Sequence, residues 1–153
     1  MKHLKLASVL FIAVVFFTNC EKNKTETFGV KDFSHSDCKN SSQKSFLFEQ
    51  ETITLKTISA NGLKITRKNV IFNCCPGKLK VETTLNSDTL TLKEYSTEDL
   101  CDCICPYDLE YTIENLEYGN LVFLITTKDY YEPYRFKFNL NFNSTTDTTI
   151  TIN

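Results

Sequence analysis

The chain of 153 residues contains no tryptophan, two histidines and four glycines. The glycines stand apart from one another, so the sequence lacks a glycine-rich loop that could enclose a phosphate or a dinucleotide. Both histidines, His3 and His35, belong to the N-terminal quarter of the chain. A nucleophilic triad needs a base beside its nucleophile. The composition therefore argues against nucleotide-dependent enzymes and against triad hydrolases.

The charge balance is slightly acidic, with 17 basic and 19 acidic side chains and a net charge of −2. Removal of an N-terminal signal would take away Lys2 and Lys5 and make the chain more acidic. Recognition of nucleic acids, or of anionic lipids by a polybasic segment, depends on clustered Lys and Arg. We therefore expect no nucleic-acid partner.

Carboxylates are grouped between Glu98 and Glu110. Glycosidase chemistry needs two carboxylates that face one cleft. Asp108 and Glu110, however, have the spacing of a solvated strand face, and Glu98 and Asp99 have the setting of a loop. No known calcium-loop spacing is present. We therefore predict a protein that is not an enzyme and needs no cofactor.

The N-terminus combines Lys2 and Lys5 with an apolar run over residues 6–17. This run is too short to span a bilayer comfortably and is typical of an export signal. The sequence therefore predicts a signal peptide over residues 1–19.

The sequence Phe17-Thr18-Asn19-Cys20 resembles the lipobox of bacterial lipoproteins, in the loose form common in Bacteroidota. The resemblance implies that Cys20 is acylated and anchors the protein in the cell envelope, at the outer membrane, with its periplasmic or surface face left open. Several acyl chains give a stable anchor, because each buried CH₂ contributes about 0.8 kcal/mol. The alternative is a secretory signal in which Cys20 is an ordinary thiol. Residues 20–44, which include His35, are mostly polar and predict a flexible tether.

From residue 45 to residue 153 the pattern is that of short strands separated by turns. Apolar residues alternate with polar ones, as in Leu79, Val81 and Thr83, and the turn Asn86-Ser87-Asp88 separates this run from Leu90 and Leu92. No apolar stripe of helical period is present. We predict an all-β domain, an antiparallel immunoglobulin-like sandwich of seven to eight strands, with a small β-barrel as the alternative.

Six cysteines remain after Cys20 is set aside. An even number in an exported domain indicates three disulfides, although six cysteines allow 15 pairings. Neighbouring Cys74 and Cys75 bond to each other only in a strained ring, and a Cys-x-Cys-x-Cys run spaces its sulfurs by about 6.8 Å along a strand. We expect Cys74 and Cys75 to bond to two members of the triplet, Cys38 to bond to the third, and the backbone to leave strand geometry at Pro76-Gly77 and Pro106. The six cysteines are Cys38, Cys74, Cys75, Cys101, Cys103 and Cys105.

The same sulfurs support a second interpretation. A thiolate-rich group could hold Zn or Cu(I), although no Cys-x-x-Cys pair is present and an oxidising envelope favours disulfides. A redox role is disfavoured, because reactive cysteines need an electropositive setting and Glu98, Asp99 and Asp102 surround these.

The run from Asn73-Cys74-Cys75 to Cys101-Asp-Cys-Ile-Cys-Pro106 is similar to a group of Bacteroidota lipoproteins with small β-sandwich bodies. This similarity covers about residues 70–125 and implies lineage and fold without an activity. In that lineage, Asp-Thr followed by an apolar residue or Thr resembles an O-glycosylation signal. The resemblance points to Thr89 and Thr148, which also suit ordinary strand entries.

The strongest candidate for a binding surface in the sequence is the segment 128–135. It crowds Tyr130, Tyr131 and Tyr134 beside Arg135, and Tyr and Arg provide rigid contact area in interfaces. The segment could hold a glycan or a protein partner, or it could close one end of the sandwich. We expect a membrane-anchored envelope lipoprotein that acts as a non-catalytic binding or structural module, with a Zn- or Cu-binding lipoprotein as the alternative.

Overall fold

The computed structural model describes residues 28–39, 49–128 and 133–152. The predicted signal peptide, Cys20, Tyr130 and Tyr131 lie outside these ranges. Within them, all regular secondary structure is β-strand. The strands are β1 (Gly29–His35), β2 (Glu51–Ser59), β3 (Gly62–Asn73), β4 (Leu79–Asn86), β5 (Thr89–Ser96), β6 (Ile104–Glu114), β7 (Gly119–Lys128), β8 (Pro133–Phe142) and β9 (Asp147–Ile152).

The strands form two sheets. The first has the order β1-β6-β3-β2-β9, and the second has the order β4-β5-β7-β8. The paired strands of the described ranges are antiparallel except β5 and β7, which are parallel because the chain passes through β6 of the other sheet between them. The predicted all-β sandwich is confirmed, with nine strands among the described residues in place of seven to eight and two separate sheets in place of a barrel. The predicted antiparallel pairing is wrong for β5 and β7.

The core lies between the two sheets, where alternate side chains of each strand point inward. β5 shows the pattern, because Leu90 and Leu92 are fully buried whereas Thr91 and Lys93 are not. The phenyl rings of Phe123 and Phe138 stack with their centroids 5.0 Å apart. The alternation read from the sequence therefore places the core correctly.

The predicted tether over residues 20–44 needs correction, because β1 lies inside it. β1 pairs with β6 at the edge of the first sheet, and the backbone amide of Lys39 donates to the carbonyl of Pro106 at 3.0 Å. The strand pattern is weak in the sequence because only Val30 and Phe33 are apolar, and a register shift beside Asp32, at φ 52°, breaks their alternation. An edge strand needs few apolar residues, since only one side of it is paired.

The segment after β1 is bonded to the domain by a disulfide between Cys38 and Cys105, which are 67 residues apart. Replacing both cysteines by Ala should lower the unfolding free energy by about 4 kcal/mol in the chain-entropy model. Hydrogen exchange should become faster at the amides of β1, measured by mass spectrometry. The Cys75→Ala/Cys101→Ala variant is the control, since it removes another disulfide and leaves β1 attached. Equal β1 exchange in both variants would contradict this role.

Candidate functional site

Three disulfides gather at one end of the sandwich, and disulfide bonding of the domain is confirmed. They join Cys38 to Cys105, Cys74 to Cys103 and Cys75 to Cys101. The backbone leaves strand geometry over residues 74–78, where Gly77 has φ 61°, and over residues 101–103. The expected departure at Pro106 is wrong. Pro106 lies within β6 opposite Ile71, at a point that β1 does not reach, so its missing N–H leaves no gap in a strand ladder.

Asn73 organises the two cysteine segments around its side chain. Its Nδ2 donates to the carbonyl of Cys101, and its Oδ1 accepts from the backbone amides of Cys75 at 2.8 Å and Cys101 at 3.3 Å. The backbone amide of Cys74 also donates to the carbonyl of Cys103 at 3.1 Å. Asn73 is 3% exposed, so these bonds satisfy a buried amide. The sequence analysis quoted Asn73 only as a neighbour of the cysteines.

The sulfurs of two adjacent disulfides come close together. The Sγ atoms of Cys38, Cys74 and Cys105 all lie within 4.8 Å of one another. Cys105 is fully buried, and Cys38 and Cys74 are half-buried. Metals bind thiolates, so these sulfurs can coordinate an ion only after the two disulfides are reduced.

An ion pair joins the two sheets in the middle of the core. The Nη1 atom of Arg67 on β3 contacts Oε2 of Glu94 on β5, and both side chains are 0% exposed. Nη1 also lies 3.3 Å from the hydroxyl of Thr127, and Nη2 contacts the carboxylate of Glu51. Burial of two charges is costly, and loss of one partner typically destabilises a protein by about 3–5 kcal/mol.

Tyr111 completes this buried group. Its hydroxyl donates to Oε1 of Glu94 at 2.7 Å, and burial together with the Glu94 charge raises the pKa of Tyr111 well above its usual range. The sequence analysis named neither Arg67 nor Glu94. The alternation of inward and outward residues along β3 indicates that Arg67 is buried, because Arg67 continues the inward series Leu63 and Ile65.

A cleft of about 450 Å³ lies at the end of the sandwich opposite the disulfides. It is lined by Phe28, by Leu85, Ser87 and Asp88 at the β4–β5 turn, and by residues 115–121. The ring of Tyr118 is 45% exposed and meets Phe142 edge-on, with the centroids 4.9 Å apart. An aromatic face, two carboxylates and two side-chain amides therefore surround one open space.

Hydrogen bonds fix the walls of this cleft. The amide of Val122 donates to the carbonyl of Asp88 at 2.8 Å, which ties the β4–β5 turn to β7. On the other wall, the amide of Leu116 donates to the carbonyl of Asn61 at 3.0 Å, and Nδ2 of Asn61 donates to Oδ1 of Asn115 at 3.0 Å. The cleft is therefore held open by the fold itself.

Four carboxylates in and before β6 are engaged with neighbouring side chains. Asp108, Glu110 and Glu114 project from the outer face of β6 and pair with Lys39, Lys64 and Lys31. Asp99 accepts a hydrogen bond from the hydroxyl of Ser96 at 2.6 Å. These contacts give the four side chains structural roles.

Of the predicted tyrosine surface, the structure describes only one edge. Tyr134 belongs to β8 and pairs with Thr127 through the backbone, and Arg135 is exposed. Thr89 and Thr148 lie in β5 and β9 and are half-buried. His35 is exposed on β1, with Nδ1 2.7 Å from the carbonyl oxygen of Ser36.

Comparison with known proteins gives no family, no curated relative and no solved structure that matches this chain. No helix among the described residues has the length and hydrophobicity to cross a bilayer.

The raised pKa of Tyr111 predicts a dependence of stability on alkaline pH. The folded state favours the neutral phenol, so its contribution is present below the unfolded pKa near 10 and is lost as the pH rises above it. In Tyr111→Phe, we expect the decline of the unfolding free energy between about pH 10 and 12 to be shallower by up to about 1.4 kcal/mol per pH unit. Urea unfolding at each pH measures this slope.

Tyr118→Phe is the matched control, because it removes a hydroxyl from a half-exposed ring outside the core. An identical alkaline slope in wild type and Tyr111→Phe would show that Tyr111 ionises as easily in the folded state as in the unfolded state.

Proposed function

We propose that this chain is a lipid-anchored, non-catalytic binding module of the cell envelope whose cleft binds a saccharide. The observation that carries the proposal is the half-exposed ring of Tyr118 in a cleft that Asp88 and Glu117 also line. Three disulfides suit a protein that works in an oxidising compartment. The lipobox-like sequence at Cys20 supports anchoring at the outer membrane.

The chemistry of the cleft fits a hydroxyl-rich ligand with one apolar face. A sugar ring presents C–H groups that pack on an aromatic face, and Tyr118 offers such a face at a fixed angle against Phe142. Carboxylates accept hydrogen bonds from hydroxyls, and the side-chain amide of Asn120 can donate and accept them. A few polar groups around an apolar surface are typical of small-molecule sites.

The contacts of Asp88 support binding without catalysis. Its carboxylate accepts a hydrogen bond from the hydroxyl of Thr89 at 3.2 Å, and its carbonyl holds the β4–β5 turn against β7. These contacts fix the orientation of Asp88 as a wall of the cleft. The rigid walls lower the ordering cost of binding, because the site exists before the ligand arrives.

Replacing Tyr118 by Ala should weaken saccharide binding at least tenfold, about 1.4 kcal/mol, because the stacking surface is lost. The measurement is binding of the fluorescently labelled protein to an array of neutral and acidic oligosaccharides, followed by titration of the strongest hit. Leu100→Ala is the matched control, since Leu100 is 71% exposed near the disulfide end.

Equal affinity in the Tyr118→Ala variant would remove the cleft as the site. Cleavage of the bound oligosaccharide by the wild-type protein, lost in Glu117→Gln, would replace the binding module with a hydrolase. An intact disulfide count in each variant shows that the domain has folded.

A second candidate function is thiolate metal binding, which the close approach of Cys38, Cys74 and Cys105 favours. Cys103, bonded to Cys74, would supply a fourth sulfur to a tetrahedral zinc site once both disulfides are reduced. In this function the reduced protein binds one Zn²⁺ or Cu(I) and the oxidised protein binds none.

A free-thiol count and metal analysis on protein exported to an oxidising compartment separate the two functions. The saccharide-binding module predicts no free thiols and no metal. Two or more free thiols with stoichiometric zinc or copper, lost in Cys38→Ser and retained in Cys75→Ser, would establish the metal site instead.

A further inference from the structure

The outer face of the second sheet concentrates positive charge that the composition of the chain conceals. Five cations project from it, against one carboxylate, Glu82, among the described residues, although the whole chain has a net charge of −2. The five cations, defined here as the basic face, are Lys80, Lys93, Lys128, Arg135 and Lys137. We propose that the basic face docks the domain on an anionic lipid surface.

The strand register places these cations side by side in one half of the sheet. Tyr95 pairs with both Lys80 and Lys128 in one row across the sheet. In the next row Lys93 pairs with Glu82 on one side and with Thr126, the partner of Arg135, on the other. Lys137 follows one row further on, opposite Leu124.

The sheet geometry sets the size of the basic face. Rows on one face are about 6.8 Å apart and strands about 4.8 Å apart, so the five charges occupy about 14 Å in each direction. This patch has the dimensions of a few lipid headgroups.

The carboxylate of Glu82 is already engaged within the face. It lies 3.3 Å from Nζ of Lys93 and accepts a hydrogen bond from the hydroxyl of Tyr95 at 2.6 Å. Lys93 Nζ also lies 5.0 Å from the centroid of the Tyr95 ring. Asp129 and Glu132 lie outside the described residues and are not part of this count.

The outer face of the first sheet differs, because four of its carboxylates are paired with lysines. Lys56 pairs with Asp147 at 3.3 Å and Lys64 pairs with Glu110 at 2.8 Å. Two further carboxylates of this face, Asp108 and Glu114, also contact lysines. An excess of positive charge is therefore a property of one side of the sandwich.

A lipid surface fits this face better than a compact ligand does. The cations stand on the outer face of a sheet, and the half-exposed side chains of Val122 and Leu124 on β7 lie between β5 and β8 on the same face. The proposed anchor would also keep the domain near the membrane, because the eight residues between Cys20 and Gly29 span at most about 28 Å. The choice of a lipid surface rests in part on the proposed anchoring, whereas the test below does not require the anchor.

The experiment measures sedimentation of the mature chain carrying Cys20→Ser with lipid vesicles. We expect binding to vesicles that contain 30% phosphatidylglycerol in phosphatidylcholine, and release in high salt because the Debye length becomes short. Vesicles of phosphatidylcholine alone should bind at least tenfold more weakly. The Cys20→Ser change keeps the lipid anchor from contributing to the result.

A pair of matched variants tests the face. Lys80→Gln/Arg135→Gln/Lys137→Gln removes three cations from the basic face and should weaken vesicle binding by about 100-fold, since each cation near an anionic surface contributes about fivefold. Lys56→Gln/Lys64→Gln/Lys68→Gln removes three cations from the other sheet and gives the same net charge. This control should keep binding within about threefold of wild type.

Three results would overturn the proposal. They are equal weakening in both triple variants, no preference for phosphatidylglycerol, and capture by soluble dextran sulfate without binding to anionic vesicles. If a triple variant fails to fold, the single variants Arg135→Gln and Lys137→Gln should each weaken binding about fivefold, and unchanged binding in both would also contradict the basic face. Saccharide binding in the cleft is independent of these outcomes, because Tyr118 lies at the opposite end of the strands.

Discussion

The contact between Arg67 and Glu94 is the constraint around which the sandwich is built. It places a positive and a negative charge inside an apolar core, and Glu94 is tolerable there only while the other sheet supplies Arg67. Misplaced packing of the sheets would leave Glu94 buried without its cation and, among the described residues, Arg67 with Glu51 as its only carboxylate partner. The pair therefore contributes more to the choice of one sheet arrangement than to net stability. Tyr111 and Thr127 tighten that choice, because the Tyr111 hydroxyl donates to Oε1 of Glu94 and the Thr127 hydroxyl donates to Oε2, the oxygen that Arg67 contacts.

Much of the fold could be predicted from alternation, and the failures have local causes. The β4–β5 hairpin was evident because its apolar residues alternate on both sides of a short turn. β1 was hidden, because a register shift interrupts an already polar edge strand. The alternation along β3 indicates that Arg67 points inward. After the irregularity at Asn69, where φ is 62°, the alternation shifts by one residue, so that Val70 and Phe72 point inward. A bulge therefore obscured which residues share a face.

The candidate sites were harder to predict than the fold, because they depend on neighbours distant in sequence. The cleft combines Phe28, the turn at Asp88 and the loop at Tyr118, and no local motif joins these three segments. The basic face likewise requires the parallel pairing of β5 with β7, which brings Lys93 close to Arg135 across the sheet. Composition averages over both faces of the sandwich, so a net acidic chain gave no sign of a cationic side.

The order of the disulfides along the chain has a consequence for biogenesis. The bonds are nested, with Cys75–Cys101 inside Cys74–Cys103 and both inside Cys38–Cys105. A chain that crosses a membrane N-terminus first exposes Cys38, Cys74 and Cys75 before any of their native partners. Oxidation during translocation would then join the wrong cysteines, and correct pairing requires either a delay until Cys105 has emerged or later reshuffling by thiol exchange. If the domain is exported in this direction, formation of its native disulfides depends on an isomerase or on slow oxidation.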